Sequence, residues 1–159
     1  MEIRSIVIDD EPMARKLLIQ MIEEFCPEVK VMSSCENLPD GIKAIKKHAP
    51  HLVFLDIEMP GYNGLEILDF FNEEEVNFSI IFTTAYSQFA LKAFKLSAID
   101  YILKPIDPIE LQDAVKRYGK VKLNQNYLLL KEMVESKVLK KIAIQHNNVM
   151  KFLELDDIL

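Results

Sequence analysis

LVFLDIEMPGYNGLEIL, residues 52–68, sets four apolar residues, an aspartate and an amphipathic run in direct succession. Leu52 to Leu55 reads as a short strand, apolar at every position rather than at every second one. Asn63 is placed to cap a helix carrying Leu65, Ile67, Leu68 and Phe71. The same strand-then-helix unit recurs on both sides. Upstream, Ile3 to Ile8 is a β-branched strand, and Pro12 suits the first turn of a helix, where its missing N–H costs nothing. Ala14, Leu17, Leu18, Met21, Ile22 and Phe25 then recur at helical spacing up to Pro27. Val29 to Ser33 is the second strand, and Pro39 opens a helix with Ile42 and Ile45. Downstream, Ser79 to Phe82 starts a fourth strand, followed by a helix over 89–96. Asp100 to Leu103 is the fifth strand, and Asp107 with Pro108 opens the last helix.

Strands apolar throughout are strands buried on both faces, as in a parallel sheet covered by helices. Right-handed crossovers then make the fold class α/β, a doubly wound five-stranded parallel sheet with helices on both faces. A short β-rich fragment follows at the C-terminus. In such sheets ligands bind beyond the carboxyl ends of the strands, where the strand order reverses. The chemically interesting residues are therefore expected at strand ends.

They are found there. The first strand ends in Asp9-Asp10-Glu11, the third in Asp56, the fourth in Thr83-Thr84-Ala85 and the fifth in Lys104-Pro105. Clustered carboxylates repel one another unless a cation is present. Mg2+ fits, since it takes few carboxylates, keeps several waters and favours phosphate oxygens. Asp10 and Asp56 are assigned to it, Asp9 joins directly or through water, and Glu58 is placed to offer its backbone carbonyl. Phosphoryl transfer needs little beyond positioning and charge stabilisation. Lys104 supplies a second positive charge and Thr84 a hydroxyl donor. Each residue has a plainer explanation. Asp9 and Asp10 ahead of Pro12 suit a helix cap; Asp56 is a loop acid, Thr84 a strand-end residue, Lys104 a solvated lysine. Four separate strand ends carrying the required set is what argues against those explanations.

The bulk properties narrow the class. The 159 residues are 50% hydrophobic and 28% charged, the composition of a globular protein. A formal charge of −6 makes the chain as given a poor nucleic-acid binder. No apolar run approaches a membrane span, and MEIRSIVIDDEP is wrong for a signal peptide, so a cytoplasmic location is expected. Cys26 and Cys35 read as half-buried thiols, and His48, His51 and His146 as surface residues.

IVIDDEP (6–12), LVFLDIEMPGYNGLEIL (52–68), IIFTTAY (80–86) and DYILKP (100–105) together resemble the CheY-like receiver domain of two-component response regulators. The resemblance covers residues 1 to about 118. It implies a signalling phosphoacceptor rather than an enzyme, with Asp56 taking a phosphoryl group from a histidine kinase. It also implies an acidic Mg2+ site at Asp9 and Asp10, and phosphoryl contacts from Thr84 and Lys104. Tyr101 matches the family's switch aromatic, which turns inward when the threonine moves. Glu58 and Tyr86 match the two positions that tune phosphoryl lifetime, and a bulky Tyr86 is expected to screen attacking water. The family often has a cis Lys104–Pro105 bond, and a homodimer through the fourth helix, fifth strand and last helix is a family expectation.

After Tyr118 the texture changes. Residues 119–138 read as a linker or an extension of the last helix, and 139–159 as the start of a second domain. KKIAIQHNNVMKFLELDDIL (140–159) reads as two short strands about His146-Asn147-Asn148, since Asn tolerates the turn such a hairpin needs. It resembles the opening strands of a LytTR-type DNA-binding module, as does the phrase FTTAYSQFALKAFKLSAIDYILKPID (82–107) the receivers joined to one. That implies a transcription regulator truncated within its output domain, binding DNA only through the missing part. Rival readings are a stand-alone receiver that signals by protein docking, an Mg2+-dependent phosphatase of the haloacid dehalogenase type, and a flavodoxin-like cofactor binder. The phosphatase needs an Asp-x-Asp pair after the first strand, and the cofactor binder a phosphate-cradling loop there; Asp9-Asp10-Glu11 supplies neither.

Overall fold

The computed structural model describes residues 1–135, 141–146 and 149–154, with side chains described through residue 132. The chain divides into two compact units, Met1–Tyr118 and Gly119–Leu159. In the first, strands β1 (Ile3–Ile8), β2 (Val29–Cys35), β3 (Leu52–Leu55), β4 (Ser79–Thr84) and β5 (Asp100–Leu103) form one sheet in the order β2-β1-β3-β4-β5. Every pairing is parallel. The chain reverses its winding between β1 and β3, the position where α/β sheets open a crevice.

The continuous apolar runs serve two cores. Ile6, Ile8, Val53, Leu55, Ile80 and Phe82 face one side, under helix α2 (Leu38–His48). Val7, Leu52, Phe54, Ile81 and Ile102 face the other, against α1 (Pro12–Phe25) and α4 (Pro108–Glu135). Successive strand residues alternate between the cores, so the buried strand positions are mostly apolar, with Ser5, Thr83 and Thr84 the buried polar residues among them. Phe54 and Phe82 are both fully buried, one in each core, and truncating either to Ala costs about 3–5 kcal/mol. Cys26 and Cys35 are buried rather than half-buried, and burial raises both thiol pKa values, that of Cys26 to about 11.

Helix ends follow their local chemistry. Asn37 Oδ1 accepts the Asp40 N–H at 2.8 Å to cap α2. Asp107 Oδ1 accepts the Ile109 N–H at 2.7 Å to start α4. The helix expected after Asn63 differs. Asn63 does cap, and Glu66 reaches back to its N–H at 2.8 Å, but the segment Gly64–Phe70 is a 3-10 helix. Phe71 is extended, and at Asn72 the chain starts a second short turn, Glu73–Glu75, with the Glu75 carboxylate accepting the Asn72 N–H at 2.7 Å. The second turn-initiating Asn interrupts the run before an α-helix is established. The next helical segment is α3 (Ala90–Lys95).

His48 and His51 are half-buried, not the surface residues expected; Nδ1 of His51 accepts the Arg4 N–H at 3.0 Å. The side chain of His146 lies outside the described residues. In the second unit, β6 (Lys141–His146) pairs antiparallel with β7 (Val149–Glu154). The expected turn residues Asn147 and Asn148 lie outside the described residues. Helix α4 continues without a break past Tyr118 to Glu135. Among the described residues no helix is long and apolar enough to cross a membrane.

Candidate functional site

The reversal point of the sheet sets Asp9, directly after β1, beside Asp56, directly after β3. Backbone bonds hold both: Asp9 N–H donates to the Cys35 carbonyl at 3.0 Å, and Asp56 N–H to the Ile8 carbonyl at 2.9 Å. The two acids are 1% and 4% exposed, unusual for carboxylates. Lys104 arrives from the end of β5. Its Nζ lies 2.7 Å from Asp9 Oδ2, 3.3 Å from Asp56 Oδ2 and 3.9 Å from Glu11 Oε1. The bond before Pro105 is cis.

One carboxylate oxygen from each of Asp9, Asp10, Glu11 and Asp56 falls within 4.8 Å of the others. Glu11 is the member the sequence reading passed over. Four acids against one lysine leave the cluster short of positive charge. Burial is the chief cause that raises the Asp56 pKa to about 6; Lys104 pulls it down and Asp9 pushes it up. For Lys104, burial opposes the charge, but its bond to Asp9 and the charge of Asp56 outweigh that and hold its pKa above the usual lysine value. Two buried oxygen ligands, two more at the rim and an under-neutralised charge suit a hard divalent cation such as Mg2+.

The plainer explanation, that Asp9 and Asp10 cap α1, does not hold. Glu11 is the residue at the cap of α1, and it makes no side-chain cap bond. Asp9 Oδ1 instead accepts the Glu11 N–H at 2.9 Å, which folds the loop, while Oδ2 faces Lys104. Arg15, one turn into α1, donates to the Asp9 carbonyl at 2.7 Å and fixes that loop from below. Sequence reasoning missed Arg15, because its partner is a backbone oxygen.

Thr84 ends β4 fully buried. Its Oγ1 accepts the Tyr86 N–H at 3.3 Å, and its carbonyl accepts the Lys104 N–H at 2.8 Å. The neighbouring Thr83 hydroxyl is buried with no hydrogen-bond partner. Tyr101 is half-buried against the first core, and its hydroxyl donates to the Tyr86 carbonyl. Tyr86 is exposed and bonded to both Thr84 and Tyr101. Glu58 is exposed, and its carboxylate stands outside the acidic cluster. Gly64 passes so close that a Cβ there would collide with the Asp56 carbonyl, so the loop after Asp56 tolerates no side chain at that position.

Residues 6–116 match the response regulator receiver domain. The chain belongs to the response regulator receiver family. Among similar proteins, the transcriptional regulatory protein BtsR of Escherichia coli is 34% identical over 156 residues, 98% of this chain and 64% of the relative. The sensory transduction protein LytT of Bacillus anthracis is 37% identical over 123 residues, 77% of this chain and 50% of that protein. The chain thus spans about half to two thirds of the length of these relatives. Among solved structures, a DNA-binding response regulator of the LuxR family from Staphylococcus aureus superposes with a TM-score of 0.66 at 28% identity, covering 73% of this chain and 98% of that one. This receiver therefore has the CheY-like fold, and its acidic crevice lies where receiver domains bind Mg2+.

Proposed function

We propose that this receiver takes a phosphoryl group from the phosphohistidine of a sensor kinase onto an oxygen of Asp56. The observation that carries the reading is the convergence of Asp9, Asp56 and Lys104, from three separate strands, within 3.3 Å of one ammonium group. Asp10 and Asp56 would hold Mg2+, with Asp9 directly or through water and the Glu58 carbonyl as a further protein ligand. Bound there, the ion would offset phosphoryl charge, and an oxygen of Asp56 would act as the nucleophile. Lys104 exchanges part of its pairing with Asp56 for a phosphoryl oxygen while keeping its shorter bond to Asp9. The Thr84 hydroxyl turns from the Tyr86 N–H to donate to a second phosphoryl oxygen. That turn loosens Tyr86, whose carbonyl holds the Tyr101 hydroxyl, and so releases Tyr101 to rotate inward. The surface of α3, β5 and the first turns of α4 changes shape in response, and it is the face through which two receivers pair.

The output is transcription. The BtsR match extends over 156 residues and so runs through the β6–β7 hairpin, which supports assigning that hairpin to a LytTR-type DNA-binding module. A protein of this kind is a cytoplasmic phosphoacceptor without turnover of an external substrate. A small phosphodonor with Mg2+ provides the test. Mass spectrometry is expected to show one added phosphoryl group on this chain and none on Asp56→Ala. No gain with any donor, or an equal gain on the variant, refutes the assignment.

A further inference from the structure

A cleft in the first unit lies at the amino ends of β1, β3 and β4, away from the acidic crevice at the carboxyl ends of the strands. It holds about 570 Å3, within the range of small-molecule sites. The segment after β3 forms two short 3-10 turns, and Phe71, Glu75, Asn77 and Phe78 in and after them line the cleft together with Ile45 and Lys46 of α2. Its apolar walls are Ile45, Pro50 and the rings of Phe71 and Phe78, which meet edge to face at 5.2 Å. Two cations border it. Arg4 reaches across to donate to the Ala49 carbonyl at 2.8 Å, and the Lys46 Nζ sits 5.5 Å from the centre of the Phe71 ring. Glu75 is the one carboxylate in the lining, so the charge balance is positive in a chain whose net charge is −6.

We propose that this cleft binds a small aromatic carboxylate, its ring against Phe71 and Phe78 and its acid group between Arg4 and Lys46. A flat ring matches the aromatic walls, and the two cations favour an anion over a cation of the same shape. The cleft also has a route to the phosphoacceptor. β1 leads from Arg4 to Asp9, and β3 leads from His51, which lines the cleft, to Asp56. Each path is about 16 Å of strand.

Amide NMR of the whole chain tests this with three probes of one shape: 2-naphthoate, 2-naphthamide and 2-naphthylmethylamine. Naphthoate is expected to shift the amides of Arg4, Lys46, His51 and Asn77 saturably, with the amine at least about ten-fold weaker. Lys46→Gln, on an exposed helix position, is expected to weaken naphthoate about five-fold without altering the rest of the spectrum. The proposal is overturned by shifts that do not saturate or localise up to about 10 mM naphthoate, by equal binding of the amine, or by unchanged affinity in Lys46→Gln.

Discussion

Replacing Asp56 by Asn is expected to make the receiver more stable, not less, when no divalent cation is present. Asp56 is 4% exposed, and burial raises its pKa from 3.8 to about 6. The folded protein therefore holds that proton more tightly than the unfolded chain does. Stability from this group is greatest at or below pH 3.8, falls as the pH rises, and is fully lost above about 6. A shift of about two units corresponds to about 3 kcal/mol at neutral pH. Lys104 loses its 3.3 Å partner in the variant but keeps Asp9 at 2.7 Å, which offsets part of the gain. The net stabilisation expected is about 1–2 kcal/mol, or a Tm rise of about 2–8 °C. Urea and thermal unfolding in EDTA at pH 7 and pH 4 measure it. The gain should appear at pH 7, vanish at pH 4, and shrink on adding Mg2+, which stabilises only the protein that binds it. A variant no more stable than the parent at pH 7, or equally more stable at both pH values, would falsify the claim that a buried, under-neutralised carboxylate strains the fold.

Two further substitutions probe the loops around that carboxylate. Gly64→Ala is expected to lower stability by more than about 2 kcal/mol in urea unfolding, because the added Cβ meets the Asp56 carbonyl, a backbone atom with nowhere to retreat; a neutral result means the loop gives way easily. Tyr86→Ala removes a ring that stands exposed beside the crevice, so the Asp56 phosphoryl group should decay several-fold faster by mass spectrometry, and an unchanged decay rate rules out screening of water by Tyr86.

What the sequence reveals here, and what it hides, divides along a chemical line. β1, β3 and β5 have the bounds read from the sequence, most plainly β3, whose four residues are all apolar and all buried between the two cores. The meeting of Asp9, Asp56 and Lys104 was legible as well: parallel topology sends all strand ends to one edge, and the residue types there are rare in a buried setting. The segment after Asn63 was misread as an α-helix because its apolar spacing is helical, while its fate rests on Asn72 starting a competing turn. Arg15 on the Asp9 carbonyl and Tyr101 on the Tyr86 carbonyl were invisible, since every residue owns a carbonyl and no pattern marks the one that is used. Those two contacts hold the loops that carry the acids and the threonine. The sequence thus displays the groups suited to the chemistry, whereas the groups that hold them in place emerge only when backbone oxygens are located in space.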